Sequence, residues 1–300
     1  MEILQNFSFT TLWNPDIIAI LAVIAAIYFY VNKKGNHKAS VKQKSFFIIG
    51  LTLIYIGFGS PVDVLAHLLF SVHMLQMSIL FMVAPPFILK GLPASMVRPV
   101  LKQRLVKKVF PILTNPLITL IFFNGLFSIY HIPLVFDTVM TNYTLHPIFH
   151  GTLLVAAFLM WWPIVCPVPE YDKLSELKKL GYIFADGVLL TPACALIIFS
   201  KFTMYGTYTD PQTFATALGY CLPAGVSFSD LNLPGLVQLM DPLEDQQLGG
   251  VLMKVIQEVV YGTAIGYIFI SWVRNERANA EKNDAELARK YALAMEATKQ

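Results

Sequence analysis

The sequence predicts an all-α polytopic membrane protein, a bundle of about seven transmembrane helices with the N-terminus outside and the C-terminus in the cytoplasm. Of its 300 residues 56% are hydrophobic and only 14% charged, with a mean hydropathy of +0.59. Soluble domains run at roughly 45–50% apolar and 25% charged, so a soluble fold of this size is excluded. Apolar runs of about 17–25 residues, the length that crosses a hydrocarbon core of ~30 Å, recur along the chain. Basic residues concentrate on alternate connectors between those runs, which sets a direction through the bilayer.

The runs are 15–32, 46–61, 64–89, 112–130, 146–166, 181–201 and 248–273. The first begins beyond Asn14-Pro15 with no small-residue cleavage site, so it reads as a retained helix and not a removed signal peptide. The second is short and carries Gly50, Gly57 and Gly59, which let membrane helices approach closely. The fourth is interrupted by Asn124 and Gly125. All are continuous, whereas the strands of a barrel would alternate. Residues 1–273 therefore form a membrane domain, and 274–300 a charged, solvated helical tail in the cytoplasm.

Orientation follows from the bases. Lys33, Lys34, Lys38, Lys42 and Lys44 follow the first run, and Lys90, Arg98, Lys102, Arg104, Lys107 and Lys108 follow the third. Lys173, Lys178 and Lys179 follow the fifth, and Arg274, Arg277, Lys282, Arg289, Lys290 and Lys299 occupy the tail. Together these are 20 of the 22 Lys and Arg residues, all assigned to the inside. The intervening connectors hold Asp63, Asp137, Asp210, Asp230, Asp241, Glu244 and Asp245 and face outward. Segment 90–111 is basic with interleaved Leu and Val, suited to lying along an anionic leaflet. The long outer connector 202–247 is a lid, a partner contact or a plain surface loop. A net charge of +3 offers no case for nucleic acid. Cys166, Cys194 and Cys221 form no CxxC, so neither disulfide framework nor thiolate zinc site is indicated.

With that topology, five of six histidines share the outer half: His67 and His73 on the third helix, His131 ending the fourth, His146 and His150 opening the fifth. His37 sits in an inner basic loop and reads as solvated. On a wheel of about 100° per residue with His67 at zero, His73 falls near 240°, Met77 near 280° and Met74 near 340°, inside an arc of about 120°. His73 and Met77 are i and i+4, as are His146 and His150, so each pair can grip one ion. Imidazole with thioether suits Cu(I). Taken singly, a membrane histidine is more often an interhelical hydrogen-bonder, and methionine is common core filler. Five at one depth, where polar groups are costly, shift the balance toward a ligand set.

Asp245 opens the seventh helix and either fixes the tautomer of a ligating histidine or caps that helix. Lys254 and Glu258 are i and i+4 and neutralise each other; Asp186 joins them or relays a proton or metal. Usable GxSxG, HExxH, P-loop and GxGxxG contexts are lacking. A retinal site is disfavoured, because Lys254 lies early in the last helix and the third helix lacks acidic counter-ions. Bis-histidine haem ligation between helices three and five is geometrically allowed. A copper transporter, a hydrolase using Asp186, Lys254 and Glu258, and a metal-free scaffold are the other classes.

The strings HLLFSVHMLQM followed by APP, then YHIPLVFD, HPIFH followed by WWP, and DQQLGG resemble the CtaG family of cytochrome c oxidase assembly factors over about 60–270. The resemblance implies a multi-pass protein of the cell membrane needed for an active haem-copper oxidase and thought to help deliver copper. Carried over, its motifs fall on His67, His73, Met74, Gln76 and Met77, on His131, Pro133 and Asp137, on His146 and His150, and on Asp245 and Gln246. Many relatives have a histidine where this chain has Met77, a change that fits reduced copper better than Cu(II) or Zn(II). The expected role is a non-enzymatic metallochaperone for Cu(I). Its partners would be oxidase subunits, another copper chaperone and the lipid bilayer. A chaperone must release its ion, so a ligand set completed by the client or by a second protomer in a homodimer is expected.

Overall fold

The computed structural model describes residues 4, 7–35, 39–219 and 240–297, with side chains through 290; His37, Lys38, Cys221, Asp230 and Lys299 lie outside the described residues. Among the described residues all regular structure is helical. In chain order the helices are α1 (Phe9–Trp13), α2 (Pro15–Lys34), α3 (Val41–Gly59), α4 (Pro61–Leu68), α5 (Phe70–Ser78), α6 (Ala84–Gly91), α7 (Ala94–Leu101) and α8 (Arg104–Leu113). They continue with α9 (Pro116–Tyr130), α10 (Pro133–Met140), α11 (Leu145–Trp161), α12 (Glu176–Phe199), α13 (Gly206–Thr209), α14 (Pro211–Gly219) and α15 (Pro242–Ala297).

Five helical stretches are long and apolar enough to cross a membrane by themselves: Phe9–Lys34, Val41–Gly59, Phe70–Gly91, Glu176–Phe199 and Pro242–Lys290. Two further pairs pass only together, α8 with α9 bent by 70° and α10 with α11 bent by 117°. The seven expected runs thus map onto five single stretches and two bent pairs. The bends start at Asn115-Pro116 and within Thr141–Thr144, where proline or Asx turns interrupt helical pairing. α8 carries much of the basic 90–111 segment and turns away from α9.

Two corrections concern helix three. The expected continuous helix 64–89 is broken at Leu69, whose φ of −132° and ψ of 129° are extended. Further along, Ile79–Val83 forms a π-helical turn between α5 and α6, a local widening that re-aims side chains beyond it. The wheel drawn from His67 does not carry across Leu69; only His73, Met74 and Met77 share one helix, α5. The tail expected to be helical continues directly from the last apolar run, α15 extending as one helix to Ala297. Part of the 202–247 connector is helical too, as α13, α14 and the start of α15.

Glycine contacts seat α3 against the Phe70–Gly91 stretch. A Cβ on Gly50 would lie 2.4 Å from Ile88 Cγ1, and one on Gly57 2.4 Å from Leu80 Cδ2. At Gly91 it would meet the Phe47 backbone nitrogen at 2.5 Å, so backbone approaches backbone and any larger residue would push the helices apart. Tyr28 joins this contact, stacking on Phe47 at 3.9 Å and donating its hydroxyl to the Gly91 carbonyl at 2.9 Å. The principal core runs through α5, α6, α9, α11, α12 and α15 and is rich in Phe and Met.

Candidate metal centre

α4, α5 and α11 bring together four of the five histidines expected at one depth. His146 and His150 lie one turn apart on α11 with ring centroids 4.3 Å apart. His67, on α4, reaches His146 at 5.2 Å, and His73 on α5 faces His150 at 5.9 Å. His73 is 1% exposed and His150 2%.

Between them stands Tyr130, the last residue of α9 and fully buried. Its hydroxyl lies 3.0 Å from His150 Nε2 and 3.3 Å from His73 Nε2, and it is 3.6 Å from Met140 Sδ, to which it can donate. A phenol has one proton, so at most one of these contacts is a donation by Tyr130; any imidazole that does not receive it must donate its own Nε2–H to the phenol oxygen, and Met140 Sδ can only accept. The phenol therefore couples the tautomers of two histidines. Sequence reasoning missed Tyr130 and Met140. The available signal was a tyrosine adjoining His131, at the C-terminal end of a helix whose neighbours carry the other imidazoles.

His131 stands apart from this group. Its Nδ1 hydrogen-bonds the Phe127 carbonyl at 2.8 Å and its ring packs on Phe127 at 4.2 Å. Met74 and Met77 are fully buried on α5. Two buried nitrogens, His146 Nε2 and His131 Nε2, have no hydrogen-bond partner among the described residues. A buried imidazole nitrogen left this way is costly unless something else occupies its lone pair or takes its proton. Among the described residues no three His, Cys, Asp or Glu side chains converge closely enough to hold a metal.

The remaining expected site residues hold backbone in place. Gln76 donates to the Gly57 carbonyl at 2.8 Å and to Asp63 Oδ1 at 2.7 Å. Asp137 accepts from Gly206 N, Thr207 N and Thr207 Oγ1 at 3.0, 2.9 and 2.6 Å, capping α13. Gln246 accepts from Met204 N at 2.7 Å. α13 is thereby seated on the cluster: Tyr205 stacks on Phe70 at 4.6 Å and donates to the His131 carbonyl at 3.0 Å. The Tyr208 hydroxyl donates to the Ala66 carbonyl at 2.7 Å.

Asp245 corrects both earlier readings. Among the described residues its hydrogen bonds go neither to a histidine ring nor to its own helix. Its carboxylate accepts from Phe70 N at 2.6 Å, Ser71 N at 3.2 Å and the Ser71 hydroxyl, capping α5 across the bundle. Asp186 does not join Lys254 and Glu258; it accepts from Asn124 Nδ2 and the Tyr261 hydroxyl. Lys254 pairs with Glu258 at 2.7 Å, as expected from the spacing, and donates to Thr191 Oγ1 at 2.9 Å.

Comparison with known proteins decides the family. The family model described as cytochrome c oxidase caa3 assembly factor (CtaG) matches residues 22–275. The chain belongs to this family. Three mycobacterial relatives of the CtaG-family chain are themselves named only as uncharacterized proteins. The Mycobacterium bovis and Mycobacterium tuberculosis proteins are each 24% identical over 304 residues, covering 94% of this chain and 42% of the relative. The Mycobacterium leprae protein is 23% identical over 306 residues, covering 95% and 43%. The chain therefore spans less than half the length of these curated relatives. No solved structure matches it significantly.

Proposed function

We propose that this CtaG-family chain is a multi-pass assembly factor for a haem-copper cytochrome c oxidase. In this reading it receives Cu(I) on the outer side of the cell membrane and passes it to an oxidase subunit, taking no catalytic step. The observation that carries the reading is the group of buried His67, His73 and His150 with half-buried His146, in which the buried His146 Nε2 has no partner among the described residues. Neutral imidazole and thioether are soft enough for Cu(I), and a cargo site must be weaker than the client's. The chain's residues then have distinct tasks. His146 and His150 present two nitrogens from one helix turn. Tyr130 holds His73 and His150 at its hydroxyl and keeps the ligand set loose until the ion arrives, and α13 excludes water from above.

The test is titration of the reduced, purified full chain with Cu(I) against a chromogenic chelator, alongside His150→Ala and His146→Ala. One equivalent bound by the parent and lost in both variants, with copper-deficient oxidase in cells carrying them, is expected. No binding above background, with normal oxidase in the variant cells, sinks the proposal. The second reading, a metal-free scaffold for oxidase subunits, draws on the lack of three convergent donors among the described residues. It predicts harmless histidine variants and damaging changes in α13.

A further inference from the structure

At the opposite end of the Phe70–Gly91 stretch from His73 lies a cavity of about 450 Å³ formed by α3, α6, the end of α11 and the middle of α15. That volume falls in the ~300–1,000 Å³ range of small-molecule sites. Its walls include Phe87, Trp161, Val165, Ala264 and Tyr267, and among the described residues the one charged side chain lining it is Lys90. The cavity opens sideways, since Val259 and Tyr267 on its α15 wall are more than half exposed. Both walls are helices long and apolar enough to cross a membrane, so the opening faces acyl chains.

The cation end is built from two lysines on aromatic rings. Lys90 Nζ stands 3.9 Å above the Tyr267 ring, and Lys42 Nζ stands 5.8 Å from the ring of Phe46, another wall residue. Among the described residues no carboxylate forms an ion pair with either. An apolar slot with unneutralised positive charge at one end is complementary to a single-chain apolar body with an anionic head.

We propose that this cavity binds one acyl chain of an anionic phospholipid from the leaflet at the basic end of the bundle, with its phosphate held by Lys90 and Lys42. The proposal is independent of the copper reading. Trp161 in the wall supplies the probe. The full chain is placed in phosphatidylcholine nanodiscs doped with either phosphatidylglycerol or phosphatidylcholine bearing brominated chains, and tryptophan quenching is read against mole fraction. Phosphatidylglycerol should quench at about fivefold lower mole fraction, the effect of one well-placed lysine near an anionic lipid. Trp161→Phe should remove that selective component, Ala264→Phe should fill the slot and abolish it, and Lys90→Arg should keep it. Lys90→Gln should erase the preference, and Lys42→Gln, at an exposed position, should weaken it where Lys90→Gln does not fold. Equal quenching by the two brominated lipids in the parent protein would overturn the proposal. So would a preference that survives both Lys90→Gln and Ala264→Phe.

Discussion

The carboxylate of Asp245 caps the N-terminus of α5 by accepting from the Phe70 and Ser71 amides, 175 and 174 residues earlier in the chain. The Ser71 hydroxyl bonds the same carboxylate. Helix N-termini leave backbone donors unpaired, and in an apolar bundle water cannot serve them. Asp245 thus stabilises the break at Leu69 and, through it, the turn that separates His67 from His73. Asp245→Ala should cost at least about 2 kcal/mol, the loss of a cap plus stranded buried donors. Asp245→Asn, which keeps one acceptor oxygen, should cost less. Thermal unfolding of the purified variants in detergent checks the order; equal stability of parent and Asp245→Ala would contradict it.

Tyr130 is a positioning residue for His73 and His150. Tyr130→Phe keeps the ring and removes the hydroxyl that ties the two imidazoles. Outer partners of metal ligands are typically worth 10–100-fold in affinity, so Cu(I) binding should weaken at least about tenfold. Chelator competition measures it, and an unchanged affinity would show that the phenol only fills space.

His146 and His131 each bury an unpartnered Nε2, but only His146 sits ring-to-ring with two other histidines. His146→Ala should therefore remove Cu(I) binding in the chelator titration, while His131→Ala should keep its affinity within the less than about tenfold change expected away from the ligands. The reverse order would move the site to His131.

Asp186 and the Lys254–Glu258 pair respond differently because their surroundings differ. Asp186 is 1% exposed and serves two buried donors, so Asp186→Ala should destabilise by about 3 kcal/mol, the summed cost of leaving Asn124 and Tyr261 unsatisfied. The Glu258 side chain is 65% exposed, and Glu258→Gln should change stability by no more than about 0.5 kcal/mol. Comparable losses in the two variants would argue for one joint network.

Outside the membrane-spanning helices, Arg98 and Glu170 form a two-point contact that lowers the Glu170 carboxyl pKa to about 2. A depressed carboxyl contributes above its unfolded pKa of ~4.3 and loses that contribution as pH falls through its folded value. The stabilisation should therefore fade between about pH 4 and 2, while in the folded chain the carboxyl stays ionised and paired until it titrates about a midpoint near 2. Carboxyl NMR with Glu170 isotopically labelled reads this directly, and Arg98→Gln should return the titration to the ordinary glutamate range.

Much of this architecture was legible in the chain. Apolar length located the helices, and Gly50 and Gly57 marked where α3 meets its neighbour, because burial and close packing are written into residue type at fixed spacing. The motif strings pointed to the family that residues 22–275 match. The histidine spacing on α11 also held, since i and i+4 are neighbours on any helix. The break at Leu69 was not legible: no proline or glycine marks it, and the group that stabilises it lies on α15. For the same reason Asp245 and Asp137 looked like companions of a metal, whereas each caps a distant helix. Tyr130 was overlooked although it opens the YHIPLVFD string, because a tyrosine at a helix end reads as packing until the fold sets its hydroxyl between two imidazoles. By itself the sequence determined the all-helical class, the apolar segments and the family, all set by local residue chemistry. Only the tertiary structure decided which polar groups meet, because in an apolar bundle each buried donor must find its acceptor wherever the fold brings one.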